Sequence, residues 1–231
     1  MEKEEKNSFD FKIYEADKKY IKYLQSFDPL VENSIGSLYT KERKCLGITL
    51  DNGKKYLIPF SSPKGSDYDK EGKIRKSVTP IIRLTSVKDG VVSLKGKLKL
   101  SSMIPVSNMD VLKLYCIVAE KDHKYKSVLI DEAKFIARNR KLIKYHANKI
   151  YREKLNNLDI GYVKNTVNFL RLEEMAANYI EYNKFVKKKQ LSNITKFIPS
   201  EISSKKKKIA DNGGKIKLKN IVDESGLISA K

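Results

Sequence analysis

Residues 45 to 60, CLGITLDNGKKYLIPF, leave a chain little choice. Two apolar runs flank Asp51-Asn52-Gly53, and an Asn-Gly pair supplies the left-handed backbone that a tight hairpin turn needs. Two antiparallel strands are therefore predicted here, and the rest of the fold must be built around them. Further strand-like runs are FKIY (11–14), PIIRLT (80–85), GVVSL (90–94), KLKLSSMIPV (97–106) and VLKLYCIVA (111–119). Turn signals such as Lys88-Asp89-Gly90 and Ser107-Asn108 separate them, and links this short imply antiparallel pairing.

Helical signals have a different period. Asp17 can cap a helix carrying Tyr20, Ile21, Leu24 and Phe27. From Tyr125 onward Leu129, Ala133, Ile136, Ile143, Ala147 and Ile150 recur at three- and four-residue steps, the stripe of one long helix. Asn168 is a suitable cap for another, with Phe169, Leu172, Ala176, Tyr179, Ile180 and Val186 on its buried side. The pattern predicts an α+β fold: a twisted antiparallel sheet with helices packed on it.

Charge narrows the partners. Against 28 acidic residues stand 48 Lys and Arg, a net charge of +20 in 231 residues, and such a surplus favours polyanions, nucleic acid before membrane. No apolar run approaches the ~20 residues of a membrane span. The acidic start MEKEEKNSFD has no signal-peptide core, so a cytoplasmic protein is expected. Cys45 and Cys116 lie within apolar runs and read as buried thiols, while His123 and His146 are too isolated for a metal site. No metal or other cofactor is expected.

Three segments follow from composition: an acidic extension (1–10), one domain (11–189) and a basic tail (190–231). From Lys184 to the end there are 13 Lys against 4 acidic residues and no aromatic after Phe197. Residues 1–183 keep +11, so the domain is basic in its own right.

At the end of the second hairpin run stand Ser61-Ser62-Pro63-Lys64, then a glycine-bearing loop with Lys73, Arg75 and Lys76. Two hydroxyls and a cation after a strand can be a simple turn or a seat for phosphate. Composition alone is met equally well by a nuclease and by a non-catalytic RNA-binding protein.

Taken together, GITLDNGKKYLIPFSSPK, LKLSSMIPV and NFLRLEEMAANY resemble, in order, the motifs of the ToxN/AbiQ family, the protein components of type III toxin–antitoxin systems. YKSVLIDEAKFIARNRKLIKYHANKIY, between the second and third of them, resembles the family's long helix, so the resemblance covers roughly residues 11 to 187. Arg43 matches the family's basic residue before GITL; Lys44 and Cys45 stand where the family carries proline and an aromatic.

The resemblance implies a compact, strongly twisted antiparallel sheet with flanking helices, barrel-like and related to the Kid/MazF-type toxins. It also implies a sequence-selective, metal-independent endoribonuclease of phage defence by abortive infection. Such a toxin processes, and is inhibited by, a small structured repeat RNA, in a protein–RNA hetero-oligomer without a membrane partner. The scissile chemistry would be attack by the RNA's own 2′-hydroxyl, giving 2′,3′-cyclic phosphate and 5′-hydroxyl ends. Ser62, Ser61 and Lys64 are then the expected catalytic group, the serines as donors to phosphoryl oxygens and not as nucleophiles. Tyr14, Tyr39, Lys41, Arg43, Lys73, Arg75, Lys76, Lys134, Arg138 and Lys141 are the expected RNA-binding set, the tyrosines by stacking and the cations on phosphate.

Overall fold

A computed structural model of the chain describes residues 9–32 and 42–196, with side chains described as far as residue 186. Chain contacts divide it into a unit ending at Ile180 and another starting at Glu181; the described part of the second is helical. The first unit holds the sheet. Its strands are β1 (Ile13–Ala16), β2 (Lys44–Thr49), β3 (Lys55–Ser61), β4 (Ile81–Lys88), β5 (Val91–Lys99), β6 (Ile104–Pro105) and β7 (Leu112–Leu114). The helices are α1 (Lys18–Gln25), α2 (His123–Arg138), α3 (Arg140–Leu155), α4 (Gly161–Lys164) and α5 (Phe169–Lys196).

Every strand pairing is antiparallel. The order is β4-β5-β3-β2-β1-β7, with β6 also on β3. That path has two ends, so the expected barrel is not closed among the described residues. The hairpin forms where the sequence placed it, with Cys45 opposite Pro59 and Ile48 opposite Tyr56. Its turn passes through Gly53 at φ 80°, a conformation that costs a residue with a Cβ. β3 overshoots β2: Phe60 and Ser61 pair instead with Leu98 and Lys97 of β5.

The core lies between the sheet and the helices. Leu46, Ile48, Leu57, Ile58, Ile82, Leu84 and Leu98 meet Ile143, Ala147, Ile150, Phe169 and Leu172. Each such aliphatic side chain, fully buried, contributes about 1.5–3 kcal/mol. Polar ties fix the layers in register. Glu173 of α5 accepts from Tyr56 Oη at 2.6 Å and Tyr151 Oη at 2.9 Å, and pairs with Lys54. Asn168 caps α5 by accepting from the Arg171 amide at 3.1 Å. Asp17 does the same for α1 through the Lys19 amide, at 2.6 Å.

Several expectations are corrected. The single long helix is two, because Asn139 takes φ −117° and its side-chain amide donates to the Phe135 carbonyl at 2.8 Å; asparagine competes in this way with the helical ladder. GVVSL and the start of KLKLSSMIPV form one strand, β5. Its pairing jumps from Leu84↔Gly96 to Thr85↔Leu94, leaving Lys95 as an extra, bulged residue. The second half of KLKLSSMIPV is interrupted by a 3₁₀ turn at Leu100–Ser102. Of VLKLYCIVA only Leu112–Leu114 is strand, and Cys116 is exposed, not a buried thiol. FKIY starts its strand two residues late, since Phe11 is left-handed at φ 58°.

Candidate active site at the end of strand β3

Ser61 is the last residue of β3 and half-buried; Ser62 and Lys64 are exposed. Among the described residues neither serine hydroxyl has a hydrogen-bond partner, so both are available to a ligand. The backbone beneath them is pinned. Lys64 starts a one-turn 3₁₀ segment, Gly65–Asp67, and donates its amide to Asp67 Oδ2 at 2.9 Å, while the Asp67 amide returns to the Lys64 carbonyl at 2.9 Å.

Asp67 is 1% exposed and sits in a cationic cage. Lys97 Nζ of β5 is 2.6 Å from Oδ2, and Arg83 Nη2 of β4 is 3.2 Å from Oδ1. Burial alone would push this carboxyl up. The hydrogen bonds from Lys97 and the Lys64 amide, with the charges of Lys97 and Arg83, outweigh it and hold Asp67 below the ordinary carboxylate range. Arg83 also gives Nη1 to the Lys76 carbonyl at 2.8 Å, closing the far end of the loop. Its Nε is buried without a partner, so the cage is not fully satisfied.

Of the acids in the following loop, exposed Asp69 folds it. Asp69 Oδ1 accepts from the amides of Glu71 (2.9 Å) and Lys73 (2.8 Å), and Tyr68 bridges to Ile74. Arg75 gives its amide to the Asp67 carbonyl and its Nε to the Tyr68 carbonyl, both at 2.9 Å. Lys73, Arg75 and Lys76 are all exposed on this arm, with Lys73 paired to Glu71 at 2.7 Å.

Arg43 approaches the same strand end from behind. Nη1 donates to the Phe60 carbonyl at 3.0 Å and pairs with Glu32 at 2.8 Å, leaving the side chain 17% exposed. Its neighbours are core: Lys44 is buried against Glu15 with its ammonium 4.2 Å from the Tyr115 ring centroid, and burial pushes the Cys45 thiol up to about 12. Tyr14 is also core. Its ring stacks on Phe9 and its hydroxyl donates to the Phe9 carbonyl at 3.3 Å, in space left by Gly47, where a Cβ would lie 2.8 Å from both the Phe9 carbonyl and the Tyr14 ring. Lys134, Arg138 and Lys141 are exposed on α2 and α3. Tyr39 and Lys41 lie outside the described residues.

Sequence reasoning missed Asp67, Arg83 and Lys97, which hold the turn. Asp67 is one of three acids in a basic loop, and Arg83 and Lys97 lie within strand-like runs. Their position directly opposite one another in the β4–β5 register is a signal only once that register is known. As an arrangement, two unpartnered hydroxyls and a lysine on a rigid, ion-paired turn can bind and orient a phosphodiester.

Comparison with known proteins agrees in extent with this unit. A family model described as toxin ToxN, type III toxin–antitoxin system, matches residues 12–177. Endoribonuclease ToxN of Pectobacterium atrosepticum is 32% identical over 166 residues, 71% of this chain and 90% of that protein. A solved structure described as "A processed non-coding RNA regulates a bacterial antiviral system" superposes at a TM-score of 0.61, with 28% identity, 72% of this chain and 98% of the other. That of AbiQ, described as a lactococcal anti-phage endoribonuclease of a type III toxin–antitoxin system, does so at 0.60 with 20% identity, over 74% and 99%, a likeness of fold.

Proposed function

The chain belongs to the ToxN family of type III toxin–antitoxin toxins, and from that premise we propose that it is an endoribonuclease whose site is the end of β3. The observation that carries this reading is the pair of unpartnered hydroxyls, Ser61 and Ser62, with Lys64, on a turn immobilised by Asp67. Cleavage proceeds without metal by attack of the 2′-hydroxyl on the adjacent phosphorus. Ser62 and Ser61 donate to the non-bridging oxygens, and Lys64 balances the charge that grows on them. Lys73, Arg75 and Lys76 on the loop and Lys134, Arg138 and Lys141 on the helices track the backbone of the RNA. Arg43 acts through the Phe60 carbonyl that it holds.

The partner is a small repeat RNA that the protein cuts and that then occupies the same basic surface, in a protein–RNA hetero-oligomer. The biological outcome is phage defence by abortive infection, in the cytoplasm. The basic tail, residues 190–231, adds charge for the same polyanion. Among the described residues no helix is long and apolar enough to cross a membrane. The antiparallel sheet with flanking helices supports kinship with the Kid/MazF-type toxins.

The test is incubation of the purified protein with RNA in excess EDTA, followed by analysis of the ends. Cyclic phosphate and 5′-hydroxyl ends are expected. Binding without cleavage would replace this reading by that of a non-catalytic RNA-binding protein.

A further inference from the structure

One more carboxyl lies against the same strand end and takes no part in the Asp67 cage. Glu132 projects from α2 onto β5 and is 5% exposed. Gly96 admits it: a Cβ at Gly96 would fall within the carboxylate, 3.2 Å from Glu132 Cδ, and would also stand 3.4 Å from the Ser61 carbonyl oxygen. One point on β5 is thus flanked by the Glu132 carboxyl and by the peptide joining Ser61 to Ser62.

The pairing of β3 with β5 shows what flanks the strand end. Phe60 pairs with Leu98, a core residue, and Ser61 with Lys97, which turns away to Asp67. Ser62 is the next residue, one past the end of the strand, and its nitrogen belongs to the peptide whose Ser61 carbonyl stands near Gly96. The strand end thus lies between two carboxyls: the caged Asp67, held by the Lys97 that pairs with Ser61, and Glu132 beside Gly96.

Among the described residues no hydrogen bond or ion pair engages that carboxyl. α2 packs on β4, β5, the 3₁₀ turn Ile117–Ala119 and α3. Their charged groups are spent elsewhere: Lys95 on Asp131 at 3.2 Å, Arg83 and Lys97 on Asp67, Lys99 on Glu32, and Arg140 over the Phe11 ring. Lys88 and Lys141 are exposed, as are Lys134 and Arg138 of α2 itself, and the 3₁₀ turn carries no charge. Burial, unopposed, pushes Glu132 up to about 8, so near neutrality it holds a proton.

We propose that Glu132 is the general acid of the cleavage, delivering its proton to the 5′-oxygen as that oxygen leaves phosphorus. The proposal rests on the ribonuclease reading above. In the step the 2′-oxygen bonds to phosphorus and its proton passes to water. The P–O5′ bond breaks with its electron pair on O5′, which takes the Glu132 proton, and the carboxylate is reprotonated by solvent. Ser62, one residue past the strand, holds the phosphate.

The test compares one RNA carrying oxygen, and the same RNA carrying a bridging sulfur, at the 5′ position of a mapped cleavage site, since a thiolate leaves without a proton. On the oxygen substrate Glu132→Gln is expected to lose ~100-fold or more in rate and to regain most of it on sulfur. Wild-type cleavage should decline above about pH 8 on oxygen and not on sulfur, a readout independent of how the variant folds. Equal loss on both substrates, no loss, or an alkaline decline shared by both would overturn the assignment. Wild-type products without cyclic phosphate ends would remove the ribonuclease reading itself.

Discussion

The two ends of β3 are held by carboxylates in opposite ways. At its start, Tyr56 gives its hydroxyl to Glu173 at 2.6 Å, and Tyr151 and Lys54 complete the ring around that acid. Every polar group there is consumed, and the result is a joint between sheet and helices. At its end, Asp67 is saturated by Lys97, Arg83 and the Lys64 amide, yet Ser61 and Ser62 keep hydroxyls without a partner among the described residues. The difference separates a structural clasp from the proposed site: the second spends its polar interactions on holding its own turn.

Three substitutions break or sharpen that contrast. The largest effect is expected from Asp67→Ala, which strands two buried cations and should cost about 3–5 kcal/mol in urea unfolding, with loss of cleavage. Because Asp67 titrates below an ordinary carboxylate, its contribution is complete above the unfolded value of ~3.9 and fades as pH falls through the lower folded value. Stability of the wild type, but not of the variant, should therefore include this acid-labile part; identical acid profiles would count against the cage.

Ser62→Ala comes next. Loss of one donor to the developing charge should lower the single-turnover rate ~10²- to 10³-fold, with the unfolding midpoint and RNA binding unchanged, since the hydroxyl supports nothing in the protein. A well-folded, fully active variant would end the assignment of Ser62. Tyr56→Phe is the mirror image and the smallest: about 1.5–3 kcal/mol of stability, as for a hydrogen bond to a charged acceptor, and no change in rate at a temperature where the variant is folded. A drop in rate would mean that the two ends of the strand are not independent.

Much of the joint at the start of β3 was legible in sequence, because its signals are local. Asn52-Gly53 announces the turn, Asn168 announces α5, and the apolar stripe places Phe169 and Leu172 in the core. The cage at the other end was not legible. Asp67 lies 16 residues from Arg83 and 30 from Lys97, and only the register of β4 on β5, shifted by the bulge at Lys95, brings them together. Charge counting also misleads here, since an acid in a basic loop reads as repulsion until its burial is known. Glu132 was hidden for a related reason. It occupies a stripe position of an amphipathic helix where an apolar residue is the norm, and what makes room for it is a glycine 36 positions earlier on another element.

The Lys64 amide carries one more consequence. Lys64 is exposed, on a loop that would ordinarily trade its backbone deuterium with solvent within moments, yet its N–H is spent on a carboxylate with 1% of its surface in contact with water. Exchange at that amide requires the cage to open, so its rate measures the free energy of opening directly. That makes the turn its own reporter, readable by hydrogen exchange with and without RNA.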